Sequence, residues 1–147
     1  MKGFLQQLFD YNFFCNKKLI EQSIALKEVP QESQKLFSHI LNAHHIWNHR
    51  ILEEDSKFGV WQEHDLDTWQ DLHYDNQRTS FEIITNTEDF GKRIAYENSE
   101  GRAHANELKD ILVHIVNHST HHRGQILTNF RESGIVPEPL DYIFYKR

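Results

Sequence analysis

His114-Ile115-Val116-Asn117-His118-Ser119-Thr120-His121-His122-Arg123-Gly124-Gln125 lies inside an amphipathic run that starts at Leu108, and it decides what the chain builds. Core-type positions recur at 108, 111, 115, 118, 122, 126 and 130, the spacing of one helix face. Two of them, His118 and His122, are histidines where Leu, Ile and Phe occupy the rest. Residues four apart lie one turn above each other, so two imidazoles placed there can hold one metal ion. The spacing predicts a helix over about 106–133, capped by Gly134, with Pro137 barring continuation.

Upstream, Phe4, Leu8, Tyr11, Cys15 and Leu19 form a stripe that Leu5, Phe9, Ile20 and Ile24 widen, so about 2–28 reads as a long helix. Pro30 stops it and suits the first turn of a second helix over about 31–54, where Leu36, Ile40, Ala43, Trp47 and Ile51 recur at helical spacing. Glu53, Glu54 and Asp55 carry the wrong sign for the helix dipole and predict fraying or a tertiary partner there. After a loop with Gly59, Asp67-Thr68-Trp69-Gln70 resembles a capping box opening a third helix to about Asn86. Its middle, His73 to Ser80, is polar, which predicts exposure or a bend. Residues 90–104, with Ile94-Ala95-Tyr96 and Asn98-Ser99-Glu100-Gly101, predict a short hairpin or an extended crossover. Four amphipathic helices without a strand-rich block define an all-α four-helix bundle, a single domain over 1–147, and the long third connection leaves room for a crossover.

A chain of 147 residues carries one core without staples. Its net charge of -6, with no run of Lys or Arg beyond two, lacks the electrostatic footprint of a nucleic-acid binder. The lone Cys15 makes no intramolecular disulfide, which fits a reducing, cytoplasmic location. Gln6, Gln7, Asp10 and Asn12 interrupt any apolar leader, and no stretch approaches a membrane span. The compositional anomaly is 11 histidines, scattered internally.

A catalytic zinc-type site needs about three protein ligands and an open position, so His118 and His122 require a partner from another helix. The second helix offers His39, His44, His45 and His49. His39 stands on the inward edge of its apolar stripe beside Leu36 and Ala43, and His44 comes next; His45 and His49 share a polar face with Ser38 and Asn42. Imidazole ligands suit zinc, nickel, copper or ferrous iron. Two familiar chemistries are absent. No glutamate is followed three residues later by histidine, as a di-iron carboxylate bundle requires. Between His118 and His122 no carboxylate base stands, as a zinc protease requires.

Several other residues are candidates for the surroundings of the site. Asn12 and Asn16, one turn apart and partly inward, suit either an interhelical hydrogen bond or a place near the pocket. Arg123 suits a substrate carboxylate or an exposed ion pair, while His114 and His121 lie to one side of the stripe in supporting positions. Gly124 in mid-helix predicts the close approach of another backbone. Tyr11 and Tyr96 could bring a phenol to the site, although packing is their commoner use.

Tyr11-Asn12 with Asn16, Ser38-His39-Ile40-Leu41-Asn42-Ala43 through Trp47 and Arg50, the His114–Ile126 segment, and the tail with Arg131-Glu132-Ser133-Gly134, Pro137 and Asp141-Tyr142 together resemble the DinB-like (DNA-damage-inducible) family. The resemblance covers nearly the whole chain. It implies a four-helix bundle with a long crossover and a metal site whose ligands fall on His39, His118 and His122. Where similar sequences carry an acidic and then an aromatic residue after Ala43, this chain has His44 and His45, leaving His44 as an alternative donor. Relatives in the wider superfamily include metal-dependent thiol S-transferases and a mycothiol-dependent isomerase. The resemblance therefore implies one divalent ion, zinc or nickel ahead of iron or copper, a low-molecular-weight thiol, a small-molecule substrate and a homodimer. The other readings of the histidines are a non-enzymatic metal-binding or stress-related interaction module, and a helical dimer in which they only pack.

Overall fold

The computed structural model describes residues 1–147. Four long helices, α1 (Lys2–Leu26), α2 (Gln31–Leu52), α3 (Trp69–Asn86) and α4 (Leu108–Glu132), form the bundle, and a short α5 (Tyr142–Tyr145) packs on α1. The 90–104 region makes a hairpin of β1 (Arg93–Glu97) and β2 (Ala103–Glu107), antiparallel with Ala95 opposite Ala105. Each helix buries the stripe expected of it: Leu5, Phe9 and Leu19 of α1, Leu36, Ile40 and Ile51 of α2, and Leu108, Ile111, Ile115, Ile126 and Phe130 of α4 share one core. Full burial of each such side chain contributes about 1.5–3 kcal/mol. Phe4 and Ile24, read as part of the α1 stripe, remain exposed.

The helix partners define the topology. α1 packs on α3 and α4, and α2 packs on the same two. Phe37 stacks on Trp69, Asn76 bonds the Leu41 carbonyl and His44 bonds Ser80, so α2 and α3 run parallel. Parallel neighbours cannot be joined by a tight turn, because the chain must first return along the length of the helix. The crossover is therefore the second connection, 53–65, and not the third, which is occupied by the hairpin.

The crossover has a built track. It runs back along α2, where Nε2 of His45 accepts from the Lys57 amide (3.1 Å), Asn42 Nδ2 donates to the carbonyls of Val60 (3.3 Å) and Gln62 (2.7 Å), Ser38 Oγ accepts from the His64 amide (3.0 Å) and Gln34 donates to the His64 carbonyl (3.2 Å). The polar face of α2 is a buried strip of donors and acceptors for loop backbone, which would otherwise lack partners.

Two local expectations are corrected and a third is sharpened. The capping box of Asp67 and Gln70 does not form: no side chain caps the first turn of α3, and the Thr68 hydroxyl donates to the Asp65 carbonyl within a 3-10 turn over Leu66–Thr68. The polar middle of α3 is exposed on one side only: Tyr74, Asp75 and Arg78 face solvent, whereas His73, Asn76 and Ser80 are buried between α1 and α2. There, Asn48 donates to the Asn76 carbonyl (3.0 Å), Ser80 donates to Asn48 Oδ1 (2.9 Å), and His73 Nε2 donates to the Phe13 carbonyl (3.3 Å). The end of α2 does not fray: Glu53 turns left-handed (φ 58) and the Glu54 amide donates to the His49 carbonyl (2.9 Å).

Candidate metal centre

α2 and α4 lie side by side and antiparallel, with His39 against His118 and His122 and Trp47 against His114. His118 Nε2 stands 3.1 Å from His39 Nε2 and 3.1 Å from His122 Nε2, and the donor atoms of all three lie within 4.8 Å of one another. Two imidazoles on one tetrahedral ion, each at about 2.0–2.1 Å, hold their nitrogens about 3.3 Å apart. The three histidines therefore lie close enough to hold a metal ion.

The outer nitrogens decide how the inner ones present themselves. His39 Nδ1 faces the Val60 carbonyl at 3.0 Å, and His122 Nδ1 faces Gln125 Oε1 at 2.7 Å. Both partners are oxygen acceptors, so both Nδ1 atoms carry the proton and both Nε2 atoms turn a lone pair toward His118. This is the arrangement that supporting hydrogen bonds impose on metal-bound histidines. Burial, and then the imidazoles of His122, His39, His114 and His121, push the His118 pKa down to about 3. Burial also lowers His39, against the bond to Val60. Neutral imidazole is the form that binds a metal. Trp61, carried on the crossover, stacks on His39 with centroids 4.0 Å apart and planes 9° apart.

A sequence model of the DinB family matches residues 17–147. The chain belongs to the DinB family. It is also similar to Protein DinB of Bacillus subtilis (strain 168), at 23% identity over 166 residues, covering 99% of this chain and 95% of that protein.

Within this DinB-family bundle the remaining candidates go elsewhere. His44 is 4% exposed, bonded to Ser80 at 2.7 Å and tilted against Phe9, on the far side of α2 from His39. His45 takes the Lys57 amide, and His49 bonds the His45 carbonyl and lies 3.7 Å from Glu54. His114 packs edge-on to Trp47 and 5.5 Å from the His118 ring, beside the triad, while His121 is exposed against His122. Tyr11 donates to the Leu140 carbonyl and Tyr96 to Asn106, so neither phenol reaches the triad.

Asn12, Asn16 and Arg123 form a separate unit. The Arg123 side chain is buried at 2% exposure, and one terminal nitrogen donates to Asn12 Oδ1 (2.6 Å), Asn16 Oδ1 (2.8 Å) and Ser119 Oγ (2.8 Å), the other to Thr120 Oγ1 (3.0 Å). Arg123 thus makes neither an exposed ion pair nor a free anion contact; neutral oxygens of α1 and α4 solvate the guanidinium, and Tyr11 presents its ring at 5.5 Å. This clamp fixes the α4 turn that carries His118 and His122 against α1. Sequence showed the amide pair and the arginine without showing that they meet, because they stand more than 100 residues apart. Gly124 is exposed, and a Cβ there would meet nothing within 4 Å, so no backbone approaches it.

Arg123→Ala strips the only cation from the buried oxygens of Asn12, Asn16 and Ser119 and leaves a void. The expected loss of unfolding free energy is about 3 kcal/mol, read by urea denaturation. A loss within about 0.5 kcal/mol, ordinary for a surface substitution, would contradict the clamp.

Proposed function

We propose that this DinB-family chain is a divalent-metal protein in which His39, His118 and His122 hold one ion, zinc or nickel ahead of iron or copper, and that it transfers a low-molecular-weight thiol to a small electrophile. The observation that carries the reading is the convergence of three imidazole nitrogens at 3.1 Å spacings, with His39 and His122 already oriented by Val60 and Gln125. A bound ion with an open position would supply Lewis acidity, lowering the pKa of a coordinated water or thiol.

The chain's own residues support a reactant from outside. Cys15 is fully buried, faces the Leu140 carbonyl at 3.4 Å and has its pKa raised by burial, so it is no reacting thiol. Ser119 and Thr120, between the two α4 ligands, are held by Arg123 and are not free nucleophiles. His122 is half-buried and borders an open groove, which leaves an approach to the ion that a purely structural site does not need.

The test is metal analysis of protein purified without an immobilised-metal column, followed by assay with small thiols and an aryl halide. Thiol arylation that requires zinc or nickel and stops on chelation supports the reading. Metal binding without acceleration by any of the four metals would sink the transfer chemistry and favour a non-enzymatic metal-binding module.

A further inference from the structure

The α1/α3 seam of the bundle lies diagonally opposite the α2/α4 seam that carries the triad. A cavity of about 300 Å³ opens in it, walled by Phe13 and Ile20 of α1 and by His73 and Tyr74 of α3, with Lys17 and Glu21 at its mouth. A cavity of about 150 Å³ lined by apolar side chains holds one benzene ring, so this volume suits two fused rings. Phe13 and His73 stack across the seam, with centroids 4.7 Å apart and planes 14° apart, so both helices present aromatic rings to the cavity.

The two nitrogens of His73 differ. The side chain is 2% exposed; Nε2 donates to the Phe13 carbonyl at 3.3 Å, and Nδ1 is buried with no partner. Burial pushes the pKa of this ring down to about 4, so at neutral pH Nδ1 is a bare lone pair. A buried acceptor without a donor is a cost that a ligand hydroxyl removes. The mouth adds no net charge, because Lys17 and Glu21 stand 3.9 Å from each other and answer one another across one turn of α1. The wall with most freedom to move is Tyr74, which is 59% exposed.

We propose that this cavity is a second ligand site, for a neutral bicyclic aromatic molecule carrying one hydroxyl, which donates to His73 Nδ1 as the Tyr74 ring turns to admit it. An anionic or acceptor-only ligand would set a lone pair against a lone pair, and an anion would also lose its hydration in an apolar cavity. The site shares no residue with the triad, so it stands whether or not the triad holds an ion.

Three probes of similar size test it: 2-naphthol, 2-methoxynaphthalene, which lacks the donor, and 2-naphthoate, which carries a charge. Each is titrated by ligand fluorescence into chelated wild type, His73→Phe and Tyr74→Ala, and NMR follows the imidazole nitrogen resonances of labelled wild type. In the wild type 2-naphthol is expected to bind about fivefold more tightly than 2-methoxynaphthalene and about tenfold more tightly than 2-naphthoate, and to shift the His73 Nδ1 resonance. His73→Phe is expected to abolish the preference for 2-naphthol over 2-methoxynaphthalene, and Tyr74→Ala to weaken 2-naphthol by about threefold. Thermal melting checks both variants, and the wild-type comparisons stand even where His73→Phe does not fold. Equal wild-type binding of 2-naphthol and 2-methoxynaphthalene, 2-naphthoate bound as tightly as 2-naphthol, or an unmoved His73 Nδ1 resonance overturns the proposal. So does a donor preference that survives in folded His73→Phe, or an unchanged affinity in Tyr74→Ala. An affinity for 2-naphthol that changes on adding zinc would place the probe at the triad and overturn it as well.

Discussion

His122→Ala is expected to abolish the proposed divalent-ion site and to leave the bundle folded. Two nitrogens at 3.1 Å remain in His39 and His118, but an ion held by these two lacks the third imidazole, the one that Gln125 orients in the wild type. Even disturbing a supporting hydrogen bond weakens metal affinity 10–100-fold, so losing the ligand itself is expected to weaken zinc binding by more than about 100-fold. His122 is only half-buried, and its replacement in the metal-free protein should change unfolding free energy by less than about 1 kcal/mol. His44→Ala gives the opposite pair of results: zinc affinity is kept because His44 bonds Ser80 away from the triad, while stability falls because a buried ring is deleted. Competition with a chromophoric chelator reads the affinities. Zinc binding by His122→Ala at wild-type strength would remove this residue from the site.

Acid destabilises the metal-free protein through every histidine that burial holds neutral, and two of them, His44 and His73, are remote from the triad. Burial drives the pKa of His44 down to about 3 and that of His73 to about 4, from the ordinary histidine value of 6.5. Below about pH 6.5 the unfolded chain takes up protons at both positions that the folded chain refuses, so stability falls as pH falls and stops falling only near the folded values. Each contributes about 1.4 kcal/mol per pH unit in that window, and together they cost about 3–4 kcal/mol between pH 7 and pH 5. Urea denaturation of chelated protein at the two pH values measures the loss, and His73→Phe should reduce its slope by about 1.4 kcal/mol per pH unit. Stability that does not change between pH 7 and pH 5 would mean that these rings are protonated in the fold or titrate alike in both states.

The four helices were legible because each carries its own apolar period. The ends of α4 came within two residues of expectation, and Gly134 takes the left-handed conformation (φ +77) its capping position calls for. His118 and His122 were legible for the same reason, being polar residues on an otherwise apolar stripe. His39 was harder, with three other histidines on its helix. The misreadings were of polar residues whose partners are distant. Asn76 and Ser80 lay in a segment read as exposed or bent until α2 covered them, and the polar face of α2 had no visible partner until the crossover lay along it. Trp61 and Val60 had no local signal, since a loop residue next to the site is marked only by where the loop goes.

The sequence by itself determined the all-α bundle, its four helices and the histidine pair on α4, because periodicity and i, i+4 spacing are properties of a single helix. Tertiary structure decided the rest. It set α2 parallel to α3, sent the crossover back along α2, aimed the His39 Nδ1–H at the Val60 carbonyl and joined Arg123 to Asn12 and Asn16. The physical reason is that a buried hydrogen bond must be satisfied but does not state in advance by whom. Only the packed chain names the partner.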